Sequence, residues 1–204
     1  YNWTCPWSHR ASVTRELKGL SKVVDRVLLE PAMGDQSWWF GTSGEYSDPA
    51  IGASHLHELY SASQPDFTGR VSVPILWDKK TQQIVNNDSG AIARMFNQEF
   101  NDVAENPTLD LYPAPLHNEI DELNEYIADH TTDGVYRCLL AKSQSDYEIA
   151  FDRLFNALEE IDKRLSKQRY LLGDQVTEPD WRLFACLLRF DAVYYSLYKC
   201  NLKR

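Results

Sequence analysis

The hydrophobic period changes once along this chain, and that change limits the folds open to it. Up to about Phe100, strand-like and helix-like patterns alternate among frequent Gly and Pro residues. From His117 onward the apolar residues recur at helical spacing almost throughout. Between them, residues 101–115 hold Pro107, Pro113 and Pro115 with few apolar anchors, which predicts a linker. The expected organisation is an α/β domain over residues 1–100, a linker over 101–115 and an all-helical domain over 116–204.

In the first domain, Pro6 suits a first helical position and Gly19 a helix stop, which predicts a helix over 8–18. Residues 22–29 are β-rich and read as a strand. A long Gly-, Ser- and Trp-containing stretch follows, to about Ala50; loops of that length in compact domains are often functional. A short helix is expected at 55–62, strands at 71–77 and 83–85, and a helix from Asn86–Ser89 to Phe100. Pro74 lies within one of these strands, and a proline cannot donate to a ladder, so it belongs at an edge, a start or a bulge. In the second domain, 118–130 and 146–165 read as amphipathic helices, the latter with a stripe of Ile149, Leu154, Leu158, Ile161 and Leu165. Thr177 followed by Asp180 reads as a cap opening an apolar helix over 181–195.

Composition removes several classes. At 43% hydrophobic and 25% charged residues, the 204-residue chain can build a core. No run approaches the ~20 apolar residues of a membrane span, and no secretory signal is visible. The net charge is −9 with Lys and Arg scattered, so no basic stripe is present to follow a nucleic-acid backbone. A cytoplasmic location is expected; the chain starts at Tyr1, so an organellar targeting segment upstream stays open.

Of the four cysteines, Cys138, Cys186 and Cys200 lie in or at the end of apolar runs, and no spacing matches a zinc site. Cys5 differs. In Asn2-Trp3-Thr4-Cys5-Pro6-Trp7-Ser8-His9-Arg10 it stands just before the start of a helix, where free N–H groups and the positive dipole end favour a thiolate. A buried cysteine in a tight aromatic turn is the plainer alternative. Ser8 occupies the place of the second cysteine of a dithiol motif, so a mixed disulfide at Cys5 needs an external thiol, which points to glutathione. Asn87-Asp88-Ser89 opens the helix that follows two strands. An acid, a hydroxyl and free N–H groups together can bind an amino-acid headgroup, or they form an ordinary helix cap.

Cys5-Pro6-Trp7, Gly34, Trp38-Trp39, Arg70-Val71-Ser72-Val73-Pro74 and Asn86-Asn87-Asp88-Ser89 together resemble the Xi-class glutathione transferases, the glutathionyl-hydroquinone reductases, in the omega-like branch of cysteine glutathione transferases. Asp133-Gly134-Val135-Tyr136 and Arg189-Phe190-Asp191-Ala192-Val193-Tyr194 extend the resemblance over essentially the whole chain. It implies a thioredoxin-like N-terminal domain, with Tyr1–Trp3 as the tail of a first strand and a cis Pro74 beside the thiol, then an all-α C-terminal domain, with the active site in the cleft between them. It implies Cys5 as nucleophile and a glutathione site of Trp38, Arg70, Val73, Asp88 and Ser89. Tyr136 and Tyr194 would face the quinol; their plainer role is helix packing. The co-substrate would be glutathione without a metal, the partners glutathionylated aromatic molecules, and the assembly a homodimer. The chain departs from the family pattern at Ser8, where Ala is usual, and at Asp88, where Glu is usual. By the same comparison it is expected to lack the first strand and last helices. The competing activities are an omega-like thioltransferase or dehydroascorbate reductase and, in another class, a non-catalytic ligand binder.

Overall fold

A computed structural model describes residues 1–202, which divide into two compact units meeting at Leu109 and Asp110.

In the first unit, α1 (Pro6–Leu17) starts where Cys5 caps it and Pro6 takes a position whose N–H would be unpaired in any case. It stops at Gly19, whose φ of +67° suits a residue without a Cβ; a Cβ there would also lie 2.5 Å from the Glu105 Cβ. Beyond it Lys18 is fully buried, its Nζ donating to Asn101 Oδ1 at 2.6 Å and the Leu109 carbonyl at 2.7 Å. This ammonium, together with Asn106 Nδ2 donating to the Leu17 carbonyl, holds residues 101–109 against the end of α1.

The helix α2 (Leu56–Ser63) opens with a box in which Glu58 accepts from the His55 N–H. The strands β1 (Leu76–Asp78) and β2 (Gln83–Asn86) form an antiparallel pair, Trp77 opposite Ile84, and α3 (Ser89–Gln98) packs on α1. Leu29, Phe40, Leu56, Leu59, Tyr60 and Val73 make one core cluster with Cys5; Ala11, Leu20, Ile92 and Phe96 make a second, between α1 and α3.

The sheet departs from expectation. Among the described residues β1–β2 is the only ladder, and residues 22–29 form no strand. Residues 22–24 lie in a turn, Val23 and Val24 N–H both donating to Leu20 O, and beyond them Leu28 N–H goes to Glu45 O and Leu29 N–H to Tyr1 O, so the segment gains no repeating ladder. The strand expected over 71–77 is confined to its last residues, after the Val73–Pro74 peptide, which is cis. The Trp-containing stretch is ordered by local pairings: Gly34 with Ser37, Trp39 with His55, and Phe40 N–H to Ser54 O.

In the second unit, α4 (His117–Ile127) passes through a π turn at Ala128–Thr132 into α5 (Asp133–Leu140), followed by α6 (Gln144–Leu165) and α7 (Glu178–Leu187). Thr177 and Asp180 form the expected capping box. The helix expected over 181–195 starts earlier and ends at Leu187, with a separate π turn at Phe190–Tyr194. The buried face of α6 is Ala150, Leu154, Ala157 and Ile161, offset from the expected stripe, and Ile149 is 69% exposed. These four recur at helical spacing on one face, and the two Ala side chains belong to it although they are less apolar than Ile149. No helix among the described residues is long and apolar enough to cross a membrane.

Candidate active site

Cys5 is the N-cap of α1, 9% exposed, and its Sγ accepts the Ser8 N–H at 3.3 Å. On its other side the thiol lies 3.8 Å from the carbonyl oxygen of Val73, the residue before cis Pro74. The helix start and the 71–74 loop therefore meet at the sulfur. Ser8 meets the thiol through its backbone; its hydroxyl accepts from the Asn2 N–H at 3.4 Å. Asn2, fully buried, braces the approach to Cys5: its Nδ2 donates to Glu30 O at 2.8 Å and its Oδ1 accepts from Thr4 N–H at 2.8 Å.

At the start of α3, Asp88 Oδ1 accepts from the Ala91 N–H at 2.7 Å, the capping geometry of an ordinary helix start. Ser89 is buried, and its Oγ accepts from Arg10 Nε at 2.8 Å. Arg10 thus reaches across to the candidate headgroup-binding segment and ties the thiol-bearing helix to it. Trp38 is half-buried and packs on the cluster that holds Cys5 and Val73, whereas Arg70 is exposed in the loop before Val71.

Tyr60, which carries no local motif, joins these pieces. Its hydroxyl donates to Ser72 O at 2.9 Å and accepts from Asn87 Nδ2 at 3.2 Å, so one buried oxygen links the 71–74 loop to the start of α3. A cavity of about 660 Å³ lies in the same unit, lined by Val24, Val27, Leu76, Trp77, Ile92 and Phe96 among others. Ser8, Val73 and Pro74 line it too, so the space reaches the residues that flank Cys5, although Cys5, Asp88 and Ser89 themselves are absent from its lining.

In the second unit Tyr136 and Tyr194 come together with a third ring that the sequence did not single out, Tyr198. Tyr136 stands edge-on to Tyr198 at 5.2 Å, and Tyr194 lies 5.0 Å from Tyr198. Tyr136 is half-buried. Tyr194 is 1% exposed, and its hydroxyl is buried without a hydrogen-bond partner among the described residues. That burial pushes its pKa far above the ordinary phenol range. Among the described residues no group of three or more His, Cys, Asp or Glu side chains is placed to hold a metal ion.

Residues 4–99 match the family model for the glutathione S-transferase N-terminal domain, and 107–203 that for its C-terminal domain. The chain is 41% identical to the glutathionyl-hydroquinone reductase PcpF of Sphingobium chlorophenolicum, over 99% of this chain and 64% of that protein. It is also 41% identical to the glutathionyl-hydroquinone reductase YqjG of Escherichia coli, over 98% of this chain and 61% of that protein. The chain therefore spans somewhat less than two thirds of the length of these relatives. The crystal structure of glutathione transferase Xi 1 from Trametes versicolor superposes with a TM-score of 0.92 at 45% identity, covering 98% of this chain and 70% of that one. The glutathione-bound structure of YqjG gives 0.94 at 40% identity, covering 98% and 66%.

Proposed function

The chain belongs to the Xi class of the glutathione transferases, and from that premise we propose that it reductively deglutathionylates glutathionyl-hydroquinones with glutathione as co-substrate. The observation that carries the reading is the position of Cys5 Sγ, at a helix start and against the Val73 carbonyl, in a unit where Arg10 and Tyr60 tie that helix and loop to Asp88 and Ser89. The relatives named as glutathionyl-hydroquinone reductases support the choice of substrate.

The Cys5 thiolate attacks the sulfur of the glutathionyl group. A Cys5–glutathione disulfide forms as the carbon–sulfur bond breaks, and the bonding pair passes to the aromatic carbon, which takes up a proton to give the hydroquinone. A tyrosine hydroxyl stabilises or protonates that carbon system. The thiolate of a second glutathione then attacks the mixed disulfide at its glutathione sulfur, releasing oxidised glutathione and restoring the Cys5 thiolate. In this reading Val73 pairs its backbone with the cysteinyl unit, and Asp88, Ser89 and the first N–H groups of α3 hold the γ-glutamyl group. Trp38 covers the tripeptide and Arg70 meets its charged end. A homodimer belongs to the same proposal and is measured by sedimentation.

The test is intact mass after mixing with a glutathionyl-hydroquinone, with hydroquinone release followed alongside. A glutathione adduct on Cys5 that excess glutathione removes is expected, and Cys5→Ala should abolish both adduct and release while keeping its thermal transition. No adduct, with glutathione disulfide still reacting at Cys5, would transfer the assignment to an omega-like thioltransferase. Turnover retained in Cys5→Ala would overturn the mechanism.

A further inference from the structure

Asn2 has no contact with substrate in the mechanism proposed for Cys5, yet it is fully buried three residues before that thiol. Each of its polar positions is used. The carboxamide nitrogen carries two protons and donates to Leu29 O at 3.2 Å and to Glu30 O at 2.8 Å. The carboxamide oxygen accepts twice, from the Thr4 N–H at 2.8 Å and the Thr4 hydroxyl at 2.6 Å. The backbone oxygen accepts the Cys5 N–H at 3.3 Å, and the backbone N–H makes a longer contact, 3.4 Å, to the Ser8 hydroxyl. These partners fix the orientation of the amide, because the Thr4 N–H can face only an acceptor and the two carbonyls only a donor.

The bonds reach the sulfur by two routes. The one from the Cys5 N–H closes the turn that delivers Cys5 to the start of α1, and the one to Ser8 touches the residue whose own N–H is given to Sγ. The carboxamide then anchors this turn to residues 29 and 30. Glu30 N–H in its turn donates to Trp39 O at 3.0 Å, so the thiol is tied through Asn2 to the loop that carries Trp38. The place selects for asparagine. An aspartate would set an oxygen against the Leu29 and Glu30 carbonyls, and a glutamine would force an extra methylene into a site with no exposed surface.

We propose that Asn2 is a positioning residue for the Cys5 thiol: its bonds hold the turn before α1 so that Sγ is presented from the helix start in line for attack on a sulfur. The proposal rests on Cys5 as the attacking thiol of the function proposed above. Displacing a reacting atom by about 1 Å can cost up to about a hundred-fold in rate. Loosening this turn therefore acts on the rate at Cys5, while the segment at Asp88 and Ser89 that would hold the γ-glutamyl group keeps its own ties to Arg10 and Tyr60.

The experiment follows the reaction of Cys5 with glutathione disulfide by quenching and peptide mapping, in the native full chain and in the same chain unfolded in urea. The Cys5 thiolate attacks one sulfur, the new S–S bond forms as the old one breaks, and a glutathione thiolate leaves. The ratio of native to unfolded rate isolates what the fold adds, and in the wild type it should exceed one. Asn2→Ala, assayed below its melting transition, should lower this ratio roughly ten-fold or more with the unfolded rate unchanged. Thr4→Val, which removes one of the two bonds to the carboxamide oxygen, should lower it by a smaller factor, and Thr4→Ser, which keeps the hydroxyl, should recover most of the loss. A merely structural Asn2 would lower the melting temperature and leave the ratio alone. The proposal is overturned by an unchanged ratio in Asn2→Ala, or in Thr4→Val where Asn2→Ala does not fold. A ratio that rises as Cys5 becomes more exposed, or a wild-type ratio of one or less, overturns it too. Because the probe is glutathione disulfide, failure of the hydroquinone assignment would leave this result standing.

Discussion

Replacing Tyr60 with Phe removes one oxygen and leaves the ring packing against Phe67, 4.8 Å between centroids, in place. The lost hydroxyl gives up a bond to Ser72 O at 2.9 Å, a longer one from Ser72 N at 3.4 Å and one from Asn87 Nδ2 at 3.2 Å. A buried group left without its partner costs about 1–3 kcal/mol. The three bonds do not sum to three such penalties, since Ser72 is only half-buried and Asn87 is exposed, so water replaces part of what is lost. The expected destabilisation is therefore about 1–2 kcal/mol, a factor of about 5–30 in the folded-to-unfolded ratio. In urea, with a slope of about 1–3 kcal/mol per molar, the midpoint should fall by roughly 0.3–2 molar with the slope unchanged. Calorimetric titration with glutathione should show weakened affinity in the folded variant, because Val73 and Asp88–Ser89 lose their common tie. A Tyr60→Phe protein with the wild-type urea midpoint and the wild-type glutathione affinity would refute the role given to this hydroxyl.

Two further perturbations test the electrostatics. A double-mutant cycle of Arg10→Met with Ser89→Ala, read by urea unfolding, should give a coupling of about 1–2 kcal/mol, since the 2.8 Å bond between two buried side chains is charge-assisted; a coupling near zero would deny it. Asp129 is held below the carboxylate value of 3.8, first by its hydrogen bond from Arg137 and further by Arg153 and His130. A carboxyl depressed in the folded state stabilises it above the unfolded value and loses that contribution as pH falls through the folded one. The melting-temperature gap between wild type and Asp129→Asn should therefore be present at neutral pH and shrink below about pH 4. It should be small throughout, because Asp129 is 37% exposed and surface pairs contribute under about 1 kcal/mol. A gap that widens on acidification would reverse the assignment.

Where function and fold were legible in the sequence, the interactions are local. Cys5 caps α1 because Pro6 follows it; Thr177 and Asp180 close a box three residues apart; Asp88 caps α3 within a turn. Such contacts depend on neighbours along the chain, so composition and spacing carry them. The alternation of α1, α2, two strands and α3, followed by helices alone, was legible for the same reason.

Other features depend on partners remote in sequence, and only the tertiary structure decided them. Arg10 finds Ser89 across 79 residues, and Tyr60 brings residue 72 to residue 87. Residues 22–29 have the composition of a strand, but strand pairing needs a second segment in register along their length, and the described chain offers only scattered partners. On α6 the buried face includes Ala150 and Ala157 and leaves Ile149 exposed, which is set by what packs against the helix and not by the apolarity of each side chain.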